Sequence, residues 1–297
     1  MRATHQNWSN FAMKVNQKAK RWLAKRLYKN NKLSPAYLPS DEFQRLQQMY
    51  PPRTNYKYDF NSRFSRAADR ASSVINIAQR YDVQPSNMLE VGCGDGLLSK
   101  LLSDNGFPTI GIDAKDWRGK DSQGIRFEQV NIDESTSVLS SYSPFSIAFS
   151  YNTFEHIPNP ENAISNIMEL LQQGGLLYLS FGPLYNSPWG MHAYRMLHMP
   201  YVQFLFSPKT IEDKLKKTQI DDLGQNLDEL QYLNRYSLEQ YDALFQETEL
   251  YTVEQYKKNS TQSVLDELIA HRRVLSTHGL SYEELTTTSL EVVLRKK

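Results

Sequence analysis

The sequence has one cysteine, Cys93. That excludes a disulfide scaffold and any zinc or iron–sulfur site built on several cysteines, and it fits a reducing compartment. It lacks a run of apolar residues able to cross a bilayer. The longest uncharged stretch, Leu170–Tyr194, is interrupted by Gln172, Gln173, Gly174, Gly175, Pro183, Asn186 and Pro188. No apolar segment of the secretory type stands near the N-terminus, so a cytoplasmic location is expected. Internal repeats and low-complexity tracts are missing. So is a strong net charge: the formal value is +1, which argues against a wholly basic nucleic-acid binder. One absence is local. Residues 1–33 hold nine Lys/Arg and no Asp/Glu; the 34 cationic residues less those nine leave 25 against 33 acidic ones, so the remainder carries −8.

What is present is an ordinary globular composition, with 40% hydrophobic and 23% charged residues in 297. That length allows one large domain or two modest ones. Residues 1–33 read as a basic amphipathic helix, with Phe11, Val15, Ala19, Trp22, Leu23 and Leu27 at helical spacing and Lys14, Lys18, Lys20, Arg21, Lys25 and Arg26 around them. Residues 34–60 carry Pro35, Pro39, Pro51 and Pro52 with Tyr50, Tyr56 and Tyr58, the composition of an irregular connector. This gives a division into 1–60, helix plus connector, and 61–297, one domain.

From Asn61 onward strands and helices alternate, the pattern of a parallel sheet covered on both faces. The spacing predicts helices over Arg63–Tyr81, Leu97–Asn105, Glu161–Gln172 (stopped by Gly174–Gly175) and Ser237–Phe245, and a helical segment near Ser263–His278. It predicts strands over Met88–Val91, Thr109–Ile112, Gly124–Val130, Ser146–Ser150, Leu176–Phe181, Leu250–Tyr256 and Ser289–Arg295. Residues 183–210 break this rhythm and read as an insertion that covers a substrate.

The strongest motif is Leu89-Glu90-Val91-Gly92-Cys93-Gly94-Asp95-Gly96, between a predicted strand and a predicted helix. Glycines let the chain turn tightly and let a ligand approach the main chain. The spacing is G-x-G-x-G, not the G-x-G-x-x-G of dinucleotide folds. Taken alone the trio is also compatible with any tight strand-to-helix turn. Asp113 ends the second strand, where a carboxylate can accept from both hydroxyls of a ribose. Asn131 follows the third strand and can pair with an adenine edge. All three features lie at strand C-termini, where open α/β sheets bind ligands.

With these residues the sequence resembles the class I S-adenosylmethionine-dependent methyltransferases, in particular the small-molecule branch. The resemblance spans Asn61–Lys297 and rests on Glu90–Gly96, Gly111–Asp113, Val130–Ile132, Phe145–Ile157 and Leu171–Ser180. It implies an α/β Rossmann-like fold: a seven-stranded, mostly parallel sheet with helices on both faces and an antiparallel last strand. It implies S-adenosyl-L-methionine as cofactor. Gly92, Cys93 and Gly94 would line its methionine end and Glu90 would support the loop and the amino group. Asp113 would hold the ribose, Asn131 and Ile132 would flank the adenine, and Ser150 and Tyr151 would face the sulfonium. Two positions depart from the family pattern, with Ser146 and Asn131 where Asp is common; both keep hydrogen-bonding ability. Cys93 reads as a small packing residue rather than a nucleophile.

Methyl transfer to a hydroxyl needs alignment, exclusion of water and removal of a proton. His156, after the fourth strand, and His192, in the insertion, are the candidate general bases. Each also has a plain reading, His156 as part of the cofactor lip and His192 as an exposed residue of a packed lid. No metal site is expected, since no spacing requires Glu155, His156, His192 and His198 to converge. The Asn/Asp-Pro-Pro-Tyr signature of amino-methylating nucleic-acid enzymes is absent. The segment Gly182–Phe206 resembles insertions in bacterial methyltransferases acting on sugars or natural products. The leading expectation is therefore O-methylation of a small molecule or glycan precursor. RNA or protein methylation, and a non-catalytic cofactor-binding subunit, are the alternatives. For residues 1–33, contact with a membrane surface, contact with RNA, a dimer arm or pocket cover, and a Phe11/Val15/Trp22 stripe packed on its own domain all remain open.

Overall fold

The computed structural model describes residues 16–28, 34–50, 59–193, 196–216, 220–222, 225–227 and 230–297. The chain divides into two compact units, each assembled from three stretches. One comprises 54–185, 231–259 and 289–297; the other comprises 1–53, 186–230 and 260–288. The sequence division had its boundary at 60 and its insertion at 183–210.

The first of these units is built on the seven-stranded sheet. Its strands are β1 (Met88–Val91), β2 (Thr109–Asp113), β3 (Arg126–Gln129), β4 (Phe145–Tyr151), β5 (Leu171–Phe181), β8 (Tyr251–Ser260) and β9 (Thr287–Lys296). The short pair β6 (Ile220–Asp222) and β7 (Gln225–Leu227) is antiparallel and belongs to the second unit. The sheet order is β3-β2-β1-β4-β5-β9-β8. The first five strands pair in parallel and β9 runs antiparallel to β5. This is the expected architecture.

Helices on both faces explain why the central strands β1 and β4 are buried along almost their whole length rather than on alternate residues. Side chains of a strand alternate between faces, and the two apolar clusters of the unit follow that period. Leu89, Ala148, Leu177 and Leu179 pack on one side with Ala163, Ile164 and Ile167 of the helix Pro160–Leu170. Met88, Ile147, Phe149, Leu176 and Tyr178 pack on the other with Val74, Ile77 and Ala78 of the helix Phe60–Arg80 and Leu98 and Leu102 of the helix Leu97–Asp104. The helices start where their sequence says. Asp59 accepts from Ser62 N at 3.1 Å, and Asn159 precedes Pro160 and accepts from Asn162 N at 3.2 Å.

One local expectation changes. The helix before β5 ends at Leu170, and the strand runs through Gly174–Gly175 instead of starting after them. Gly174 sits at φ +73°, and a methyl group on Gly175 would lie 2.9 Å from Gln172 O and 3.1 Å from Ser146 O. The pair lets β5 pass close to β4, where the register shifts between Phe145 and Ile147, rather than capping a helix.

In the second unit residues 16–27 are helical; residues 1–15 and 29–33, the rest of the expected basic helix, lie outside the described residues. The connector contains a helix, Glu42–Met49, that buries Phe43 and Leu46. Tyr56 and Tyr58 lie outside the described residues. The helices Pro208–Leu215 and Tyr282–Thr286 were also not foreseen, and the expected segment near Ser263–His278 is the succession Leu265–Ala270, Arg272–Leu275 and Ser276–His278. Long-range main-chain acceptors tie these pieces together: Tyr201 OH donates to Leu285 O at 2.9 Å, and Tyr28 OH donates to Leu268 O. No described helix is long and apolar enough to cross a membrane.

Candidate functional site

At the C-terminal end of β1 the chain turns back through three glycines with φ of +74° (Gly92), +52° (Gly94) and +75° (Gly96). Gly92 N and Cys93 N both donate to Ile112 O, at 2.8 and 2.9 Å, which fastens the turn to β2. The first two glycines answer different needs. A methyl group on Gly92 would collide with the side chain of Thr153, whereas one on Gly94 would have nothing within 4 Å. Gly94 therefore presents bare main chain to open space, the condition for close approach of a ligand.

Asp113, at the end of β2, holds this turn. Its Oδ2 accepts from Gly94 N at 3.0 Å and its Oδ1 accepts from Lys115 N at 3.3 Å. Burial raises its pKa above the ordinary carboxylate value, and the backbone donors of Gly94, Lys115 and Ala114 work against that. Glu90 is buried within β1, and its Oε2 accepts from Ser99 Oγ at 2.6 Å. Burial pushes its pKa up to about 8, opposed by Ser99 and Arg70. Cys93 is buried too, and burial together with the charges of Glu90 and Asp113 pushes its thiol upward, as suits packing and not nucleophilic attack. Its Sγ would lie 2.9 Å from a methyl group on Gly111, so the cysteine fills the space a glycine in β2 leaves.

The adenine-side residues sit one strand further along. Val130 N donates to Asp113 O at 2.9 Å, so Asn131 and Ile132 follow directly from the Asp113 position. Ile132 is buried. Asn131 is exposed, donates from Nδ2 to Glu134 Oε1 at 3.1 Å, and lines a depression with Ala114, Gln129, Val130, Glu134 and Ser135.

The end of β4 lies beside the end of β1, with Ser150 opposite Val91. Ser150 is buried and its Oγ donates to Val91 O at 2.8 Å, so its hydroxyl braces β1. Tyr151 donates from its hydroxyl to Arg70 O at 3.2 Å, carries the Arg70 guanidinium 4.8 Å from its ring centre, and meets Tyr178 edge-on at 5.6 Å. After Asn152, itself at φ +50°, the turn Phe154–His156 brings Glu155 inward. Glu155 Oε1 accepts from Gly182 N at 3.1 Å, while its buried Oε2 has no hydrogen-bond partner. Burial raises its pKa, and His156 opposes the rise. His156 Nδ1 lies 2.6 Å from Tyr232 O. A carbonyl can only accept, so the proton of the neutral ring is assigned to Nδ1, which makes Nε2 the basic nitrogen. His192 belongs to the second unit, at φ +58°, with its N donating to Trp189 O at 3.0 Å.

Thus Glu90, Gly92, Cys93, Gly94 and Asp113 come together in one turn. Asn131 and Ile132 adjoin it just past the end of β3, and Ser150, Tyr151 and His156 gather at the end of β4. Two residues that hold this arrangement were not foreseen. Arg63 donates to Asp95 Oδ2 and Asp121 Oδ2, both at 2.8 Å, clamping the glycine turn to the turn Lys120–Ser122. Asn234 donates from Nδ2 to Phe154 O at 2.8 Å and Ile157 O at 3.2 Å, and its Oδ1 accepts from Tyr241 OH at 3.0 Å. Asn234 thereby fixes both ends of the turn that carries His156. No sequence spacing links either residue to the acceptors of its side-chain N–H groups, which lie 32 to 80 positions away.

The arrangement fits the cofactor of the resembled family. It offers open main chain at Gly94, a carboxylate on the neighbouring strand end and a polar depression one strand beyond. Among curated relatives, the chain is 30% identical over 141 residues to a malonyl-[acyl-carrier protein] O-methyltransferase of Paenibacillus sp. (strain JDR-2), covering 42% of this chain and 50% of that one. It is 27% identical over 157 residues to a ubiquinone biosynthesis O-methyltransferase of Coxiella burnetii, covering 50% of this chain and 64% of that one. The chain thus spans half to under two thirds of the length of these relatives. Among solved structures it is similar to the magnesium protoporphyrin IX methyltransferase of Synechocystis PCC 6803 with bound SAH, at 12% identity and a TM-score of 0.44, covering 87% of this chain and 95% of that one. The family model described as a methyltransferase domain matches residues 62–255, more than half of the chain and the whole stretch from the helix before β1 into β8. On that match the protein belongs to the methyltransferase domain family, and its cofactor is S-adenosylmethionine.

Proposed function

We propose that this protein transfers the methyl group of S-adenosylmethionine to a hydroxyl oxygen of a small molecule or glycan precursor, with His156 as general base. The observation that carries the cofactor half is the lock of Asp113 on Gly94 N at 3.0 Å, which sets a carboxylate beside accessible main chain. In this reading Gly92, Cys93 and Gly94 line the methionine end. Glu90 supports its amino group from inside the sheet. Asp113 accepts from the ribose hydroxyls, and Asn131 and Ile132 flank the adenine. When bound, the cofactor supplies a methyl already activated on a sulfonium. The protein's remaining tasks are alignment, exclusion of water and proton removal.

The choice of oxygen as acceptor is supported by the O-methyltransferase names of the relatives. The choice of His156 is supported by its place just after β4, with its ring directed by the contact of Nδ1 with Tyr232 O at 2.6 Å. His192 is the second candidate for that role. Ser150 and Tyr151 would bound the sulfonium side through their main chain, since their side chains are engaged with Val91 and Arg70.

The test uses S-adenosylmethionine with a deuterated methyl and a cell extract separated into small-molecule, lipid, glycan, RNA and protein fractions. Asp113→Ala serves as control and mass spectrometry as readout. Label on an oxygen in the small-molecule or glycan fraction, lost with the variant, is the expected result. Label in RNA or protein, or no label with cofactor binding intact, would overturn it.

A further inference from the structure

The helix over residues 16–27 presents a face that the proposed chemistry does not use. Its inner side is fixed to the unit it belongs to. Ala24 and Tyr28 are buried, Tyr28 OH donates to Leu268 O, and Lys20 pairs with Asp266 at 2.5 Å. Half a turn round, Lys18, Trp22 and Arg26 follow one another at four-residue spacing along the outer side, so they form one row. Trp22 is 61% exposed and Leu23 beside it 37% exposed. Arg26 lies with its guanidinium 5.4 Å from the Trp22 ring centre. Lys18, Arg21, Lys25 and Arg26 are all exposed around the indole, and residues 1–33 contain no acidic side chain to neutralise them. Of the readings left open for this segment, packing of Trp22 against its own domain is therefore not what the chain does; Phe11 and Val15 lie outside the described residues.

An exposed tryptophan in a ring of cations has a specific physical complement. Indole favours the zone between headgroups and acyl chains, and lysine and arginine beside it favour anionic headgroups. Their long aliphatic stems let the charge stay wet while the helix lies in the plane of the surface. Phosphates of a nucleic acid would satisfy the cations but would offer little to Leu23, an aliphatic side chain on the same face. The rest of the chain carries −8, so the attraction is concentrated in this one segment.

We infer that the outer face of the 16–27 helix, centred on Trp22, is a docking surface for an anionic lipid bilayer. The contact is then peripheral, made through the interface.

The test is sedimentation of the 297-residue chain with vesicles of phosphatidylcholine mixed with phosphatidylglycerol, against phosphatidylcholine alone, at low and high salt. Binding is expected only to the anionic vesicles, weakening as salt rises. Lys18→Gln with Arg21→Gln should lower the partition coefficient roughly thirtyfold, since each cation near such a surface contributes about fivefold. Trp22→Ala should lower it about tenfold by removing the buried indole. All three positions are exposed, and unchanged S-adenosylmethionine binding by the variants confirms that they fold. Absence of sedimentation, or sedimentation that Trp22→Ala leaves intact, would overturn the inference. So would a single-stranded RNA oligonucleotide that binds more tightly than the vesicles and strips the protein from them.

Discussion

The ends of β1 and β4 are neighbours in the sheet, yet they treat a buried carboxyl in opposite ways. At β1, Glu90 faces a donor: Ser99 Oγ at 2.6 Å satisfies it, and the turn that follows is tied to β2 by three main-chain donors, Gly92 N and Cys93 N to Ile112 O and Gly94 N to Asp113. At β4, Glu155 uses one oxygen on Gly182 N and leaves the other buried without a partner. The first end is a finished cradle whose shape is set before any ligand arrives. The second is held from outside, by Asn234 on two carbonyls and Tyr232 on His156, with unsatisfied polarity inside. A site that binds a cofactor needs the former, because a turn already held in shape costs nothing to arrange at the moment of binding. A site that moves a proton tolerates the latter, since a buried and strained polar group is where pKa values are shifted.

The comparison can be broken by substitution. The largest effect is expected at β4: His156→Ala should lower turnover by about 10²–10³-fold while leaving S-adenosylmethionine affinity nearly unchanged, because a positioned base contributes on that scale. Steady-state kinetics beside calorimetry separates the two, and retained turnover would move the base to His192. Asn234→Ala comes next. It strips the donor from Phe154 O and Ile157 O, and turnover should fall about tenfold with a stability loss of ~1–2 kcal/mol in a denaturant titration.

Within the β1 turn, Gly92→Ala should cost ~3 kcal/mol of stability, since a left-handed φ and a collision with Thr153 add together. Gly94→Ala, with open space around it, should cost only ~1 kcal/mol, so equal losses would show that backbone strain alone governs the turn.

A further expected effect is a slope with pH. An unfolded Glu90 releases its proton at the ordinary value of 4.5, the folded one at about 8. Between these values the folded chain holds a proton the unfolded chain has lost, so stability falls as pH rises across that window. Glu90→Gln keeps the oxygen that accepts from Ser99 and removes the titration. Its melting temperature should therefore gain on that of the unaltered protein as pH rises from 5 to 8. A constant difference would mean that Glu90 is ionised when folded.

The sheet was legible because its information is local. Met88–Val91 was placed to the residue, and β2, β4 and the helices Phe60–Arg80 and Leu97–Asp104 to within three residues, since apolar runs, glycine turns and caps lie next to one another in the chain. Glu90, the glycines and Asp113 could be read as one site for the same reason: parallel strands deliver their C-termini to one edge. The misreading at Gly174–Gly175 shows the limit, because a glycine pair marks a close approach as well as a helix end, and only the neighbour β4 decides. The second unit was not legible. It is stitched from 1–53, 186–230 and 260–288, and its bonds join residues such as Tyr28 and Leu268 across 240 positions. Arg63 and Asn234 escaped notice for the same reason, since each acts through partners that only the fold supplies.

The central claim is that the β1–β2 cradle binds S-adenosylmethionine through Asp113, and calorimetric titration of the cofactor tests it most directly. The unaltered protein should bind one equivalent. Asp113→Ala loses the acceptor of Gly94 N and of the ribose hydroxyls, so it should bind about 100-fold more weakly, as expected when charge-assisted hydrogen bonds are lost. Equal affinity in the two proteins would contradict the account.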